Sequence, residues 1–402
     1  MSEPTPRQLY EMARADVEAG RFERAREICL TLLRDTPAFG AVYFMLGVCE
    51  RRLKNFVGSI DFLSESMKVG GENAENLFQM ACAWHDLGNY DEAARWYRMA
   101  LAAEPTWAEA MGGLGQVLMF TSKRKAIDSM QAALKLNPRL HDTAYQLAAV
   151  LFDEEDTGEF RRMLETVLAI DPAMVPARFF LGVIDWLLGD DAGAEAAMRE
   201  VAGRGCDHLT DGFDYMRAHR SGRTRFFGIT PDVLEFALGK VSIDGAHLEF
   251  GVSSGNSIRF LAARTDHRIH GFDSFEGIPE GWAGLPKGSY TTRGALPPVP
   301  ENVTLHAGWY DETAPAFMRA NPGQVAFANI DCDLYSSTRD VFDAIGDAIT
   351  AGTILVFDEY LFYKGWRGHE YKAFQELVTR RGLSYEYLAF GLFSKQAVVR
   401  IR

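Results

Sequence analysis

Several features that would mark a specialised class of protein are missing from the sequence. Lys and Arg number only 42 against 55 Asp and Glu, and the net charge of −13 argues against nonspecific binding to nucleic acid or anionic lipid. The longest apolar runs, such as Ala351–Phe357, are far shorter than the ~20 residues that a membrane span requires. The amino terminus has no basic stretch followed by an apolar core, so we expect no secretory signal.

Cysteine is scarce, and its five residues are scattered without a CxxC pair. This distribution argues against a disulfide framework and a structural zinc site, and it predicts a reducing, cytoplasmic location. Hydrophobic residues make up 47% of the chain and charged residues 24%, as in ordinary folded proteins. A length of 402 residues predicts about two or three domains.

A repeat fills the first half of the chain. Leu or Met followed by a residue no larger than Ala recurs at spacings of 34, 34, 34, 33 and 34 residues. The pairs are Met12-Ala13, Leu46-Gly47, Met80-Ala81, Leu114-Gly115, Leu147-Ala148 and Leu181-Gly182. Prolines close four of the units, at Pro37, Pro105, Pro138 and Pro172. A small residue lets two helices approach closely, a glycine such as Gly88 permits the turn between them, and proline ends the second helix.

This pattern resembles the tetratricopeptide repeat, in about six units over residues 6–205. The segment GNYDEAARWYRMALAAEP (Gly88–Pro105) is close to the second-helix consensus of that family, whereas the second unit has Lys54 at its turn. Such arrays form superhelices that usually bind proteins or peptides, which predicts a protein partner. The alternative is that the array only dimerises the chain or braces the next domain.

The second half alternates strands with helices. After a connecting helical segment, 206–232, we expect the last domain to cover 233–402. The predicted strands are Ala246–Phe250, Arg268–Phe272, Val303–Ala307, Val325–Ile330 and Thr353–Phe357, with a closing hairpin of Ser384–Ala389 and Gln396–Ile401. This order predicts a Rossmann-like α/β domain, a mostly parallel sheet with an antiparallel carboxy-terminal strand, as in class I methyltransferases. Ligands of such sheets bind at the carboxyl ends of the strands.

Two turns carry candidate cofactor contacts. The first strand runs into E-x-G-x-x-x-G-x-S, in which Gly251 and Gly255 permit a tight turn and close approach of the backbone to a ligand. No basic residue is nearby, so the turn suits a zwitterionic amino-acid group better than a pyrophosphate. Asp273, after the second strand, can bind ribose hydroxyls or cap a turn. Phe275 can cover an adenine ring or belong to the core.

Four carboxylates follow the next two buried strands: Asp331, Asp333, Asp358 and Glu359. They would repel one another unless a cation is bound or some of them are protonated. Oxygen ligands favour Mg²⁺ or another hard divalent ion over zinc. The alternative is that Asp333 or Asp340 caps the following helix and that Glu359 is simply solvated.

Four segments resemble the macrocin O-methyltransferase family over residues 225–402: LEFGVSSGNSIRFLA, IHGFDSFEGIPEGW, IDCDLYSSTRDVF and GTILVFDEYLFYKGWRGHEYKAF. The resemblance implies an S-adenosylmethionine-dependent, Mg²⁺-requiring enzyme that methylates sugar hydroxyls. It places the cofactor at Glu249, Gly251, Ser253, Gly255, Ser257, Asp273, Ser274 and Phe275. It assigns Asp331, Asp358 and Glu359 to Mg²⁺. It makes Asp333 the general base. The layout is also similar to that of catechol O-methyltransferase.

The segment 276–300 is rich in Gly and Pro and is expected to be a lid or substrate loop, with Trp282 and Tyr290 stacking on a sugar. Tyr360 and His369 are the other candidate substrate contacts. We therefore expect an O-methyltransferase that acts on a small-molecule or glycan acceptor. Two alternatives remain: a scaffold with an inert cofactor-binding domain, and a protein methyltransferase, which the metal site disfavours because amines need no Mg²⁺. A homo-oligomer is compatible with the sequence.

Overall fold

The computed structural model describes residues 4–36 and 39–402, so Pro37 lies outside the described residues. In the described part, the repeats form six helical pairs. They are α1 (Pro6–Glu18) with α2 (Phe22–Asp35), α3 (Gly40–Arg52) with α4 (Phe56–Gly70), α5 (Ala74–Asp86) with α6 (Tyr90–Ala103), α7 (Ala108–Val117) with α8 (Lys123–Leu136), α9 (His141–Leu151) with α10 (Gly158–Ile170), and α11 (Val175–Leu187) with α12 (Asp191–Ala202). The predicted repeat architecture is confirmed.

The small residue of each pair lies where the two helices meet. A Cβ atom on Gly47 would lie 2.6 Å from Cγ of Leu63 in the facing helix, and one on Gly115 would lie 2.5 Å from Cγ of Met130. The turn residue also behaves as predicted, since Gly88 has a φ of +83°. Lys54, at the same point of the second pair, adopts +64°. The second repeat unit therefore keeps the same turn, although its turn residue is a lysine in a strained backbone conformation.

The remaining elements are α13 (Asp207–His219), β1 (Arg225–Phe227), α14 (Thr230–Leu238), β2 (Ala246–Phe250), α15 (Asn256–Ala262), β3 (Ile269–Asp273), β4 (Val303–Ala307), α16 (Tyr310–Ala320), β5 (Val325–Ile330), α17 (Tyr335–Ile345), β6 (Ile349–Phe357), α18 (Glu370–Arg381), β7 (Tyr385–Gly391) and β8 (Ala397–Ile401). Two short 3₁₀ turns, Gly346–Ala348 and Trp366–Gly368, complete the described part. The predicted strands are present, three of them with identical bounds at β2, β4 and β5. The sequence reading missed β1 and α16.

One sheet of eight strands has the order β1-β7-β8-β6-β5-β2-β3-β4. All neighbouring pairs are parallel except those of β8, which is antiparallel to both β6 and β7. The predicted mostly parallel sheet with a closing hairpin is thus confirmed. From β2 the chain continues to β3 and β4 on one side and to β5 and β6 on the other. The carboxyl ends of β3, β2, β5 and β6 therefore lie side by side at the point where the strand order reverses.

The chain divides into two compact units. The first comprises the part up to Leu118 together with Arg124–Pro138 and Glu276–Thr291, and the second comprises Met119–Lys123, Arg139–Phe275 and Thr292–Arg402. The later repeats, from α9 onward, therefore share a unit with the sheet. No helix of the described residues is both long and apolar enough to cross a membrane.

Within the second unit, the edge strand β1 is joined to the loop after α9. Glu154 accepts a hydrogen bond of 2.9 Å from the Phe226 amide and forms an ion pair with Arg225. A Cβ atom on Gly228 would lie 1.9 Å from the carbonyl oxygen of Ala149. The end of β1 and the repeat helix are thus in backbone contact, and the edge of the sheet is covered.

Candidate active site

The turn after β2 needs glycine at one position. Gly251 has a φ of +96°, and a Cβ atom there would lie only 1.8 Å from the carbonyl oxygen of Asp331. The Asp331 amide in turn donates to the carbonyl oxygen of Phe250 at 2.9 Å. The ends of β2 and β5 therefore close against each other, and this contact fixes the position at which Asp331 leaves its strand.

Glu249 lies at the centre of this edge of the sheet and is fully buried. Its carboxyl group accepts hydrogen bonds from Ser257 Oγ at 2.8 Å and from Asn329 Nδ2 at 3.4 Å. Burial, only partly offset by these two donors, raises the pKa of Glu249 to about 8. Among the described residues, Asn329 Oδ1 and Ser254 Oγ, two other buried oxygens of this region, have no hydrogen-bond partner. This edge of the sheet is therefore rich in acceptors.

Asp273, at the end of β3, connects two turns. Its oxygens accept hydrogen bonds from the amides of Ser253 at 2.7 Å and Phe275 at 2.6 Å. Burial raises the pKa of Asp273, and these backbone donors act in the opposite direction. Ser253 and Phe275 both have positive φ, at +45° and +60°. Phe275 belongs to the hydrophobic core, and Ser274 lies between it and Asp273 in the chain. Asp273 thus caps a turn, as one of its two predicted roles requires.

Three aspartates meet at the ends of β5 and β6. The Asp358 amide donates to the Ile330 carbonyl oxygen at 2.9 Å, which continues the pairing of the two strands beside Asp331. Burial, and then the charges of Asp358 and Asp333, raise the pKa of Asp331 well above its ordinary value. Burial and the neighbouring charge of Glu359 raise the pKa of Asp333 to about 8 and that of Asp358 to about 7. The three aspartates lie in one region of low dielectric constant, where few positive charges offset their negative charges.

Asp333 is held in a strained backbone conformation, with a φ of +59°. It does not cap the next helix, because the residue before α17 is Leu334 and no side chain caps that helix. Asp340 lies within α17 and contacts Arg339. The capping alternative for these two aspartates is therefore wrong. A strained, half-buried aspartate at a strand end is typical of a functional position.

Glu359 is held by a lysine. Lys395 Nζ donates to Oε1 of Glu359 at 3.0 Å and to Oε2 at 3.2 Å. The next residue, Gln396, donates from Nε2 to Asp358 Oδ1 at 2.6 Å. Burial raises the pKa of Glu359, and the lysine charge lowers it. Glu359 is therefore ion-paired, and the alternative in which it is simply solvated is wrong.

Glu370 was not singled out from the sequence. It is the first residue of α18 and is fully buried, and its carboxyl group accepts hydrogen bonds from the amides of Cys332 and Glu359, both at 3.1 Å. It thereby ties the segment after β5 to the segment after β6. An acidic residue in the first turn of a helix is ordinary, so nothing in the sequence signalled this role.

The predicted substrate contacts are dispersed. Tyr360 is fully buried, and its hydroxyl oxygen lies 2.7 Å from that of Tyr387, so it faces the interior. His369 directly precedes α18. Trp282 and Tyr290 belong to the segment Glu276–Thr291 of the first unit. There the Trp282 backbone exchanges hydrogen bonds of 3.0 and 2.7 Å with Leu285.

The side chains of the predicted Mg²⁺ site are chemically suited to the ion, but they are not arranged as a complete set of ligands. The carboxyl groups of Asp331 and Asp358 are half-buried oxygen ligands of like charge, the kind of ligand that a hard cation binds. Among the described residues, however, no three His, Cys, Asp or Glu side chains are arranged to hold a metal ion. The pairing of Glu359 with Lys395 removes one of the three predicted ligands from the set.

Family models of known proteins match segments in both halves of the chain. The family described as "Methyltransferase domain" matches residues 248–360, and "Tetratricopeptide repeat" families match residues 10–66 and 74–107. The chain thus carries a methyltransferase domain, which implies the use of S-adenosylmethionine, behind amino-terminal tetratricopeptide repeats.

Two curated proteins are similar to parts of the chain. One is the Streptomyces olivaceus 8-demethyl-8-(2,3-dimethoxy-alpha-L-rhamnosyl)-tetracenomycin-C 4′-O-methyltransferase, 27% identical over 160 residues, with 32% of this chain and 59% of that protein covered. The other is the Arabidopsis thaliana protein CTR9 homolog, 28% identical over 132 residues, with 32% of this chain and 12% of that protein covered. The chain therefore spans less than two thirds of either relative.

Solved repeat proteins also resemble part of the chain. A MamA crystal structure is 24% identical, with a TM-score of 0.35, and covers 40% of this chain and 89% of its own. The Pseudomonas aeruginosa pilF structure is 14% identical, with a TM-score of 0.43, and covers 49% of this chain and 90% of its own.

Proposed function

We propose that the chain is an S-adenosylmethionine-dependent O-methyltransferase whose acceptor is a hydroxyl group of a sugar, glycan or glycosylated metabolite. The observation that carries the proposal is the cluster of half-buried, mutually repelling carboxyl groups at the ends of β5 and β6, beside the glycine turn after β2. The relative from Streptomyces olivaceus, named as a 4′-O-methyltransferase of a rhamnosylated tetracenomycin, supports this acceptor class.

The turn after β2 suits the cofactor. When bound, S-adenosylmethionine supplies an electrophilic methyl group on a sulfonium ion. Its amino-acid end carries an ammonium group, which matches the buried acceptors Glu249 and Asn329 Oδ1. In the proposal the amino-acid end is held by Glu249, Gly251, Ser253, Gly255 and Ser257. Asp273 and Ser274 bind the ribose, and Phe275 supports their turn from the core.

Asp333 is the proposed general base. An acceptor hydroxyl is a poor nucleophile at neutral pH, so a carboxylate oxygen must accept its proton. Burial and the charge of Glu359 raise the pKa of Asp333 to about 8. Its carboxylate therefore binds a proton more strongly than that of an ordinary aspartate, as a general base for a hydroxyl group must. Its strained backbone holds the carboxyl group at a defined place. Lys395 limits the rise of this pKa through its charge.

Magnesium is part of the proposal. Asp331 and Asp358 would hold the ion, and Glu359 would join them on leaving Lys395. When bound, a hard divalent ion supplies the positive charge that stabilises a developing alkoxide. Trp282, Tyr290 and His369 remain the proposed acceptor contacts, whereas the interior hydroxyl of Tyr360 is better suited to bracing the end of β6.

The repeats, which as a class mediate protein–protein contacts, are proposed to bind a protein partner or carrier. In the proposal, the chain consists of a repeat array at 6–205, a connecting segment at 206–232 and a methyltransferase region at 233–402.

The test combines binding and turnover. Calorimetry with S-adenosylmethionine is expected to show binding, and a panel of sugars and glycosides with Mg²⁺ is expected to reveal a methylated acceptor whose formation stops in EDTA. Asp333→Asn should lower kcat about 10²–10⁴-fold while cofactor affinity is retained. Asp340→Asn, which removes a carboxylate of α17 that contacts Arg339, is the control and should leave kcat unchanged.

Two outcomes would contradict the proposal. Cofactor binding without methylation of any acceptor would favour the scaffold alternative. Full turnover by both Asp333→Asn and Asp331→Ala in saturating Mg²⁺ would show that the roles of these residues are wrong.

A further inference from the structure

The turn between β7 and β8 is built around a lysine at a strained position. Lys395 has a φ of +62°, and its carbonyl oxygen accepts hydrogen bonds from the amides of Tyr360 and Leu361, both at 3.1 Å. The Gly391 amide closes the turn on the Gln396 carbonyl oxygen at 2.9 Å. The backbone of this turn is therefore joined to the segment directly after β6.

Two consecutive side chains of the turn bind two consecutive acids of β6. Lys395 donates to both oxygens of Glu359, and Gln396 donates to Asp358. Gln396 is fully buried, and its side-chain oxygen Oε1 has no hydrogen-bond partner among the described residues, so the bond from Nε2 to Asp358 orients its side chain. The Lys395 side chain keeps 38% of its exposure, against 13% for Glu359. The ammonium group thus reaches into the acidic cluster on a flexible chain from the solvent side.

Phe393, two residues earlier, anchors the same turn to the later repeats. Its ring stacks on Phe180 of α11 with centroids 4.0 Å apart and contacts Tyr145 of α9 and Phe160 of α10 at 5.0 and 5.4 Å. The place from which Lys395 extends is therefore fixed by aromatic packing on one side and by backbone hydrogen bonds on the other.

Lys395 differs from the residues of the acidic cluster in the sign of its charge. Six acids have interacting charges here: Glu249, Asp331, Asp333, Asp358, Glu359 and Glu370. Among the described residues, Lys395 is the one basic side chain that forms an ion pair with any of them. An ammonium group and a divalent ion are both attracted to a carboxylate, and both cannot fully occupy Glu359 at once.

We propose that Lys395 is a tethered cation that competes with a divalent metal ion for Glu359 and thereby sets the metal affinity of the site. The proposal rests on the metal site of the proposed function. While Lys395 is paired with Glu359, its charge partly neutralises the acidic cluster, and Glu359 is not available to the metal ion. Binding of a divalent ion with Glu359 requires the ammonium group to move outward, which its flexible stem and partial exposure allow.

The experiment titrates the full-length protein with Mn²⁺ and follows free Mn²⁺ by electron paramagnetic resonance. Lys395→Met is expected to bind Mn²⁺ about tenfold more tightly than the unaltered chain, because it removes the competing charge. Lys395→Gln, a polar replacement, should show the same gain. Lys364→Met, which removes an exposed lysine that forms no ion pair with the cluster, should leave the affinity unchanged. Circular dichroism establishes that each variant is folded.

A second arm tests whether competition occurs at Glu359. In a Glu359→Gln background, exchanging Lys395 for Met should no longer raise Mn²⁺ affinity. The proposal is overturned if neither the unaltered chain nor the Lys395 variants bind Mn²⁺, if affinity is unchanged or falls, or if the gain persists without Glu359. The titration needs neither S-adenosylmethionine nor an acceptor. Failure of methyl transfer with these affinities as expected would therefore contradict only the proposed function.

Discussion

Glu249 shows how one buried side chain can make the stability of the fold depend on pH. It pairs with no basic side chain of the described residues, is hydrogen-bonded to Ser257 and Asn329, and is closed off from water. Because burial raises its pKa from 4.5 to about 8, the folded chain holds a proton there that the unfolded chain has already released. The folded state therefore binds more protons between these two pH values, and its stability must fall as the pH rises through them.

We accordingly expect the melting temperature of the ligand-free protein to decrease from pH 5 to pH 8. Glu249→Gln, which cannot ionise, should make this decrease smaller, although Asp333 and Asp358 contribute to it in the same direction. Differential scanning calorimetry at pH 5, 6.5 and 8 measures the effect. Glu312→Gln, at an exposed position, is the matched control and should leave the slope as it is. An equal slope in both variants would show that Glu249 is ionised throughout.

At the scale of elements, α18 acts on the site through Glu370. This side chain joins the segments after β5 and β6 by accepting the amides of Cys332 and Glu359. A buried amide that loses its acceptor costs about 1–3 kcal/mol. Glu370→Ala removes both acceptors, whereas Glu370→Gln keeps one carbonyl oxygen.

Glu370→Ala should therefore lower the free energy of unfolding by about 2–5 kcal/mol, and Glu370→Gln by less. Urea denaturation provides the measurement. Glu376→Ala removes an exposed carboxylate of the same helix that accepts a hydrogen bond from the Tyr335 hydroxyl, and it should change stability by under about 1 kcal/mol. Equal losses for Glu370→Ala and Glu376→Ala would contradict the joining role.

The sequence predicted elements well where a local pattern determines them. The 34-residue period placed the small residues of the repeats, and apolar runs such as Val325–Ile330 placed the strands. It missed β1, which has only three residues, and α16, which contains Pro315. The predicted order of strands also placed the four carboxylates at the ends of neighbouring strands. The sequence could not foresee that Lys395 would pair with Glu359, since that contact spans 36 positions and depends on how the hairpin turns back.

At the scale of the whole molecule, the sheet depends on helices that precede the predicted methyltransferase region. Strand β1 pairs with β7, Arg225 and Phe226 contact Glu154, and Phe393 stacks on Phe180. A fragment of residues 233–402 loses all of these contacts and the first residues of α14, whereas a fragment of residues 139–402 retains them.

We expect the 139–402 fragment to melt cooperatively, and the 233–402 fragment to melt at a lower temperature or to aggregate, because the edge strand and the aromatic partners of Phe393 are gone. Circular dichroism melting and size-exclusion chromatography compare the two. Equal melting temperatures would show that the later repeats contribute nothing to the sheet.

The segment Glu276–Thr291 has a topological consequence. The backbone passes from one compact unit to the other at five places, after residues 118, 123, 138, 275 and 291, and this segment accounts for the last two of them. One protease cut therefore cannot release either unit as an intact piece. Recombination likewise cannot exchange either unit for a foreign one as a single continuous block of the gene.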